Sequence, residues 1–348
     1  MSAPSRTRSS LRPAPAAGGR WQAAASWLIW PVLLVVVLAL AFGISNNYWL
    51  QVTVNAEIMV IAAVGLYVTF GLSGQVSLGQ AAFYAIGGYA TGLLVTQLAL
   101  DLGVAIVLAV VISTVFGLII GIPALRLKGN YLALATLGFG QVVALVLVNW
   151  SWLSGGALGV RDIIGSIFGV IELTKVSDWA VFIGVIMVIA IYIVQSIRTS
   201  SYGRAMQAVR DSDIAAAAMG VSLSRVKVLA FSIGAAFAGL AGALNAGFVT
   251  YISPGTYDLA LSVSMLAMVV VGGAKSPWGA VIGAVLLTFL PEVLRGVQDY
   301  YLLIYGLLLL VMVAFVPGGI WGVLRAGVAR LARLAGGRGR STMEGVSS

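Results

Sequence analysis

The sequence predicts an all-α, polytopic membrane protein with about ten transmembrane helices. Hydrophobic residues make up 60% of its 348 positions and charged residues only 9%, whereas a soluble domain carries about 25% charged residues. The 43 glycines suit helices that pack closely within a bilayer. Cysteine and histidine are both absent, which excludes disulfides and the usual thiolate and imidazole metal ligands. Since no nucleophile–base or metal constellation is visible either, the sequence argues against an enzyme.

Ten stretches meet or approach the length of about 20 mostly apolar residues that a membrane-crossing helix needs. The first follows a basic segment and lacks a clear small-residue cleavage site, which favours a retained helix over a signal peptide. The stretch 78–98 fits either a full crossing or a re-entrant pair. The predicted spans are 27–44, 50–71, 78–98, 103–122, 131–150, 179–197, 228–248, 259–273, 278–294 and 301–317.

Basic residues divide unequally between the two sides of this arrangement. If the N-terminus is cytoplasmic, the cytoplasmic segments hold 17 of the 20 lysines and arginines. The positive-inside rule therefore explains the net charge of +9 without nucleic acid, and it predicts a multi-pass membrane protein with both termini cytoplasmic. The predicted cytoplasmic segments are 1–26, 72–77, 123–130, 198–227, 274–277 and 318–348.

A central loop at 198–227 separates two predicted membrane halves of five helices each, 27–197 and 228–317. The tails at 1–26 and 318–348 flank these halves. An odd number of helices in each half gives the second half the opposite orientation. This arrangement is that of an inverted repeat, which places a substrate path between the halves.

The central loop is the longest charged, helix-compatible segment of the chain. Residues 202–219 are rich in good helix formers. Asp211, Ser212 and Asp213 can cap a helix that starts near Ile214, and Gly220 can end it in a left-handed conformation. Two interpretations remain open: an amphipathic helix pair that holds the bundle at the interface, or a coupling element that a soluble motor grips.

Polar residues within the predicted spans are candidates for a translocation path. Polar, glycine-broken helices are tolerated in a bilayer only when they are buried in protein or face water. The polar groups at 75–80 therefore indicate either a break that lines a path or hydrogen bonding between helices. The candidate path residues are Gln75, Ser77, Gln80, Tyr84 as a possible gate, and Gln141.

The carboxylate of Glu57 lies clearly within a predicted span, 50–71. A charge at a helix centre costs about 2.5–3.5 kcal/mol on insertion scales. The residue therefore either belongs to a pathway or meets a partner, or it lies near the outer interface and reaches water or a local partner.

The string GGAKS at 272–276 is not a phosphate loop, because Ala274 precedes Lys275 and the segment joins membrane helices. No other stretch has the phosphate-loop spacing. We therefore expect this chain to bind no cofactor. If ATP drives transport, the ATPase is a separate chain.

Four blocks resemble the LivM/LivH-type permeases of ATP-binding-cassette importers, the membrane subunits of branched-chain amino acid uptake systems, and the LivM-like arm in particular. The blocks cover most of 71–284, and the third is long and specific. They are GLSGQVSLGQAAFYAIGGYA (71–90), LRLKGNYLALATLGFGQVV (125–143), YGRAMQAVRDSDIAAAAMGVSLSRVKVLAFSIGAAFAGLAGAL (202–244) and VVVGGAKSPWGAVIGA (269–284).

The resemblance implies a second, related permease, two cytoplasmic ATP-binding subunits and an extracytoplasmic substrate-binding protein as partners. It implies that this chain forms half of the path for branched-chain or other hydrophobic amino acids, driven by ATP hydrolysis on the separate subunits. It also places the ATPase-docking loop within 202–220. The residues that inherit this docking role are Gly203, Arg204, Asp213, Ala215, Ala216 and Gly220.

Departures from the family pattern bear on the solute. Relatives often have an acidic residue where this chain has alanines at 215–218, many have histidine at the position of Gln80, and many have asparagine at that of Tyr67. A urea-permease arm of the family also has glutamine at the position of Gln80. Urea or short amides are therefore an alternative solute class. A stand-alone secondary transporter or channel is the alternative of another class.

Overall fold

The structure is a computed structural model that describes residues 19–124, 130–167, 169, 173–297, 306–307, 310 and 319–336. Helices occupy nine of the ten predicted spans, and the tenth, 301–317, lies almost wholly outside the described residues. The helices in chain order are α1 (Gly19–Gly43), α2 (Asn47–Leu66), α3 (Gln80–Thr96), α4 (Leu102–Ala124), α5 (Asn130–Asn149), α6 (Ser151–Ser154), α7 (Val176–Thr199), α8 (Ser201–Asp211), α9 (Asp213–Ala218), α10 (Leu223–Val249), α11 (Leu259–Gly272), α12 (Pro277–Val293) and α13 (Gly319–Gly336).

The predicted all-helical membrane architecture is confirmed. Within the described residues, six helical segments are long and apolar enough to cross a bilayer, and two further apolar helices are shorter. The six are Asn47–Leu72, Leu102–Pro123, Tyr131–Asn149, Val176–Thr199, Leu223–Val249 and Pro254–Gly272, and the shorter two are Trp30–Gly43 and Pro277–Val293.

Two details refine the predicted spans. The stretch 78–98 contains one continuous helix, α3, whose 17 residues rise about 25 Å. Helix α2 continues into a π-helical turn, Tyr67–Leu72, a feature that is frequent near functional sites. After this turn Gly74 adopts a positive φ of 72°, a conformation in which glycine is not strained.

Helix α10 lies at the centre of the bundle and packs against α2, α3 and α4. Its alanines and glycines permit unusually close approach. A Cβ on Gly87 of α3 would overlap the carbonyl oxygen of Gly239, and a Cβ on Gly242 would overlap the carbonyl oxygen of Tyr84. The contact between α3 and α10 is therefore a backbone-to-backbone contact.

The helices of the two predicted halves pack in a reciprocal pattern. Helix α10 packs against α3 and α4, whereas α2 packs against α11 and α12. Helices α3 and α4 also pack against each other, as do α11 and α12, and α2 contacts α10 directly. Each half thus contributes one helix that inserts against a helix pair of the other.

The segments predicted to be cytoplasmic gather at one end of the bundle. Arg210 of α8 donates a hydrogen bond from Nη1 to the carbonyl oxygen of Gly71, 2.7 Å away. The start of α13 reaches the same end, since a Cβ on Gly319 would overlap Gly273. Segments from four parts of the chain therefore meet there.

The segments predicted to be outside meet at the opposite end. Val160 and Ile252 form an antiparallel β-bridge, and Ser166 donates a hydrogen bond from Oγ to Asp101 Oδ2 at 2.9 Å. These contacts bring together segments that the charge distribution assigns to the outer side, and the sidedness itself stays a prediction.

Candidate functional site

The central loop folds into the two short helices that its sequence predicts. Ser200 caps α8 by accepting a hydrogen bond from the Gly203 amide at 3.2 Å, and Ser212 caps α9 by accepting one from the Ala215 amide at 3.2 Å. Gly220 has a φ of 82°. This is the left-handed backbone conformation that favours glycine after a helix. It confirms the predicted end of the second helix. We call α8 and α9 together the helix pair.

The helix pair is fastened to the membrane helices by polar contacts. Besides the bond from Arg210 to Gly71, Lys227 Nζ of α10 lies 2.6 Å from Asp213 Oδ2 of α9. Gln75 donates a hydrogen bond from Nε2 to the carbonyl oxygen of Lys227 at 3.1 Å. These contacts connect the helix pair to the end of α2 and to the start of α10.

The opposite side of the helix pair carries large apolar side chains that no described residue covers. Ile214 and Met219 are each 85% exposed, and Tyr202 is also exposed. Contiguous exposed apolar patches mark interaction sites, and these side chains are candidates for one. Sequence reasoning missed Ile214 and Met219 as site residues. The signal was available, because they are isolated apolar side chains within the most charged segment.

Three of the six predicted coupling residues contribute to the structure of the helix pair itself. Gly203 is buried, and a Cβ there would overlap the carbonyl oxygen of Ile197. Arg204 donates a hydrogen bond from Nη1 to the carbonyl oxygen of Thr199 at 2.9 Å, which satisfies the end of α7. Ala216 is buried.

The other three predicted coupling residues are Asp213, Ala215 and Gly220. Asp213 is half-buried in its ion pair with Lys227, whereas Ala215 and Gly220 are exposed on the same segment as Ile214. A coupling role for all six residues stays a prediction. The exposed surface of the helix pair includes Ala215 and Gly220 beside the exposed apolar side chains, and Arg204 is exposed as well.

The polar residues predicted at 75–80 are buried against α10. Gln80 donates a hydrogen bond from Nε2 to the carbonyl oxygen of Gly234 at 2.9 Å, and Gln75 bonds Lys227 as described. Ser77 is fully buried. These contacts are those of helix–helix hydrogen bonding, one of the two interpretations of this stretch. A path-lining role for the three residues stays a prediction.

Tyr84 and Gln141 are the other two predicted path residues, and Tyr84 follows Gln80 by one turn of α3. Tyr84 is buried, with its ring centroid 5.8 Å from that of Tyr257. Gln141 is exposed on α5, a helix that is little buried within the chain. On the same helix, a Cβ at Gly138 would meet no atom within 4 Å. Helix α5 therefore presents an uncovered face.

Glu57 does not lie at a surface. Its side chain is 5% exposed, and its Oε2 atom has no hydrogen-bond partner among the described residues. The interpretation in which it reaches water or a local partner near the outer interface is therefore wrong for Oε2. The residue lines an apolar cavity between membrane helices.

Comparison with known proteins gives a consistent result. The profile of a family described as "Branched-chain amino acid transport system / permease component" matches residues 48–313. The chain is 34% and 32% identical to the high-affinity branched-chain amino acid transport system permease protein LivM of Salmonella typhimurium and of Escherichia coli, over 84% of this chain and 74% of each relative. The LivH permease protein of Escherichia coli is 28% identical, over 79% of this chain and 96% of its own length. No solved structure matches.

Proposed function

The chain belongs to the family of branched-chain amino acid transport permease components, and from this premise we propose that it is a permease subunit of an ATP-driven importer. In this proposal it forms half of the path for branched-chain or other hydrophobic amino acids. Separate subunits bind and hydrolyse the ATP, in agreement with a sequence that lacks a phosphate loop.

The end of the bundle that carries the helix pair faces the cytoplasm in this proposal. Its described segments contain Arg204, Arg210, Arg225, Lys227 and Lys275. This concentration of basic side chains supports the assignment, because positive charge favours the cytoplasmic side. Both chain termini then lie in the cytoplasm of a bacterial inner membrane, and the end with the Val160–Ile252 bridge receives the substrate-binding protein.

The helix pair is the docking element for the ATPase, and its exposed apolar side chains carry this part of the proposal. Ile214 and Met219 project from a short, doubly fastened segment. Methionine is among the residues enriched at protein–protein interfaces. Closure of the motor would displace the segment, and the Asp213–Lys227 pair and the Arg210–Gly71 bond would pass the displacement to α10 and α2.

Two inverted halves of five helices complete the proposed architecture. The reciprocal packing of α2 and α10, each against a helix pair of the other half, supports this arrangement. Movement of one half against the other would then open the path alternately to the two sides of the membrane.

The uncovered face of α5 is the proposed contact with the second, related permease. Its polar side chain at Gln141 and the open space around Gly138 support a path at this contact. A path between two chains would leave the path-facing residues of one chain exposed, which distinguishes Gln141 from the buried Gln75 and Gln80.

The solute class rests on the family, and urea or short amides are the alternative that Gln80 raises. A binding assay on the partner substrate-binding protein, with leucine, valine, urea and acetamide as probes, separates the two. Saturable binding of urea without binding of leucine would contradict the amino-acid assignment.

The experiment that tests docking replaces the exposed apolar side chains by aspartate. We expect Ile214→Asp and Met219→Asp each to reduce the amount of ATPase that co-purifies with the membrane complex about tenfold, because a truncated or charged hot-spot residue commonly costs more than 1 kcal/mol. Ile164→Asp is the matched control, since this isoleucine is 73% exposed at the other end of the bundle.

If Ile214→Asp and Met219→Asp both retain the normal amount of ATPase and the normal rate of uptake, the docking proposal is wrong. Uptake by the chain reconstituted without any ATPase would support a stand-alone transporter or channel instead. Membrane insertion, followed by quantitative blotting of the membrane fraction, must be equal in all variants for the comparison to hold.

A further inference from the structure

Helix α13 combines an apolar face with basic residues. Its apolar residues recur at the three- and four-residue spacing that places them on one face of a helix. They are Ile320, Leu324, Val328, Leu331 and Leu334. At the same periodicity, Arg325, Arg330 and Arg333 belong to the opposite half of the helix, and the sequence of α13 contains no acidic residue. A basic amphipathic helix of this kind is typical of segments that lie in a membrane surface.

The first turn of α13 is anchored to the bundle, where it packs against α11 and α12. Gly319 has a φ of 66°, and a Cβ there would overlap the backbone of Gly273 in the connector between α11 and α12. Ile320 packs against the hydrophobic core of the membrane helices. The anchor therefore fixes the place where α13 begins.

An aromatic cluster indicates the level of the bundle at which this anchor lies. The ring centroid of Trp30 is 5.1 Å from that of Tyr192 and 6.2 Å from that of Trp278, the second residue of α12. Tryptophan and tyrosine are enriched where a membrane meets water. Since the connector that contains Gly273 leads directly to Trp278, α13 begins beside the membrane surface, at the end of the bundle that carries the helix pair.

Beyond the anchor, α13 presents apolar and basic side chains that no described residue covers. Val323 is 60% exposed and Leu324 is 49% exposed. Arg325 beside them is exposed, and so is Lys275 of the connector between α11 and α12. This surface thus offers hydrocarbon and positive charge together. It is complementary to an anionic phospholipid, which has acyl chains beneath a negative headgroup.

We propose that α13 binds anionic phospholipids of the adjoining leaflet, with its apolar face among the acyl chains and its arginines at the phosphates. A guanidinium group matches the geometry of a phosphate and donates two hydrogen bonds to it. A leaflet without net charge would meet the apolar face alone and would leave the three arginines without a counter-charge. The proposal concerns the lipid that surrounds the chain, and it does not depend on what the chain transports.

The test follows the depth of a spin label on α13 in the full chain. The sequence contains no cysteine, so Leu324→Cys supplies a single attachment site for a nitroxide. Nanodiscs contain phosphatidylcholine alone, or equal parts of phosphatidylcholine and phosphatidylglycerol. Collisions with oxygen and with a water-soluble nickel complex measure the ratio of label in hydrocarbon to label in water. We expect this ratio to be about a hundredfold higher in the mixed discs, because each of three arginines contributes about fivefold at an anionic surface.

Substitution of the arginines in the labelled chain tests which charges attract the lipid. Arg325→Gln should lower the ratio in the mixed discs about fivefold. Replacement of Arg330 and Arg333 by glutamine as well should remove the difference between the two lipid compositions. The matched control is Arg225→Gln, which removes an exposed cation of α10 at the same end of the bundle and should leave the ratio unchanged.

An aqueous label in both lipid compositions, or an equal ratio in both, overturns the proposal, and neither result depends on the folding of an arginine variant. An equal fall in Arg325→Gln and Arg225→Gln also contradicts it, because the lipid would then respond to the positive charge of the whole end. A label that stays aqueous in the mixed discs and loses contact with the nickel complex only when the ATPase subunits are added would identify a protein as the occupant, and the proposal would be wrong.

Discussion

Removal of the Arg210 guanidinium tests whether the helix pair moves the membrane helices. Arg210 Nη1 lies 2.7 Å from the carbonyl oxygen of Gly71, and its side chain is 30% exposed. A hydrogen bond from a charged donor contributes about 1.5–3 kcal/mol, and partial exposure reduces this to about 1 kcal/mol. Arg210→Met keeps an apolar stem against Gly74 and removes the bond to Gly71 together with the exposed ion pair to Asp211, which contributes little because it is open to solvent.

We expect Arg210→Met to uncouple transport from hydrolysis in part. The docking side chains of Ile214 and Met219 are untouched, so the ATPase should bind and hydrolyse ATP as before. A loss of about 1 kcal/mol in the connection corresponds to about a fivefold change in an equilibrium. The assay measures leucine imported per ATP hydrolysed in proteoliposomes that contain the complete importer, and this ratio should fall by up to about fivefold.

Arg225→Met is the matched control for this experiment. Arg225 is exposed at the same end of the bundle and makes no hydrogen bond or ion pair with any described residue. Its substitution removes the same charge, and the ratio should stay at the wild-type value. A wild-type ratio for Arg210→Met, or an equal fall in both variants, would refute transmission through the Gly71 contact.

Two further variants test the backbone positions on which this arrangement depends. Gly87→Ala would force a Cβ onto the carbonyl oxygen of Gly239 and should destabilise the solubilised chain by about 1–3 kcal/mol in thermal unfolding. The control Gly138→Ala meets open space and should be neutral or slightly stabilising. Equal unfolding midpoints for the two variants would contradict the close contact between α3 and α10. Gly220→Val places a β-branched residue at a φ of 82°, which costs about 1–2 kcal/mol, and should lower ATPase co-purification. Gly220→Asn, which tolerates this conformation, should retain it, and an equal loss in both variants would show that the backbone conformation is not the cause.

Features that depend on neighbours in sequence were predictable. The apolar length of each span, the serine before α9 and the glycine after it act within a few residues of the place where they have their effect. The helix pair was therefore predictable almost residue by residue, with Ser212 as the cap and Gly220 as the end.

Features that depend on distant partners were not predictable. Gln80 bonds a carbonyl oxygen 154 residues away, and no local pattern distinguishes such a contact from a path-lining position. Glu57 is similar, because its burial depends on α1, α7 and α12 closing around it. Ile214 is exposed only because α9 turns that side of the segment away from the bundle.

The close packing of α10 explains how a force on a surface loop could reach the far side of a membrane. Lys227 lies near the start of α10, whose 27 residues rise about 40 Å. Just beyond its other end, the carbonyl oxygen of Thr250 accepts a hydrogen bond from the Ile163 amide at 3.2 Å. Since the backbone of Gly239 lies directly against α3, with no side chain between them to deform, α10 cannot tilt without moving its neighbours. In the proposed importer, a displacement at Asp213 would therefore reach the opposite end as the movement of a rigid unit.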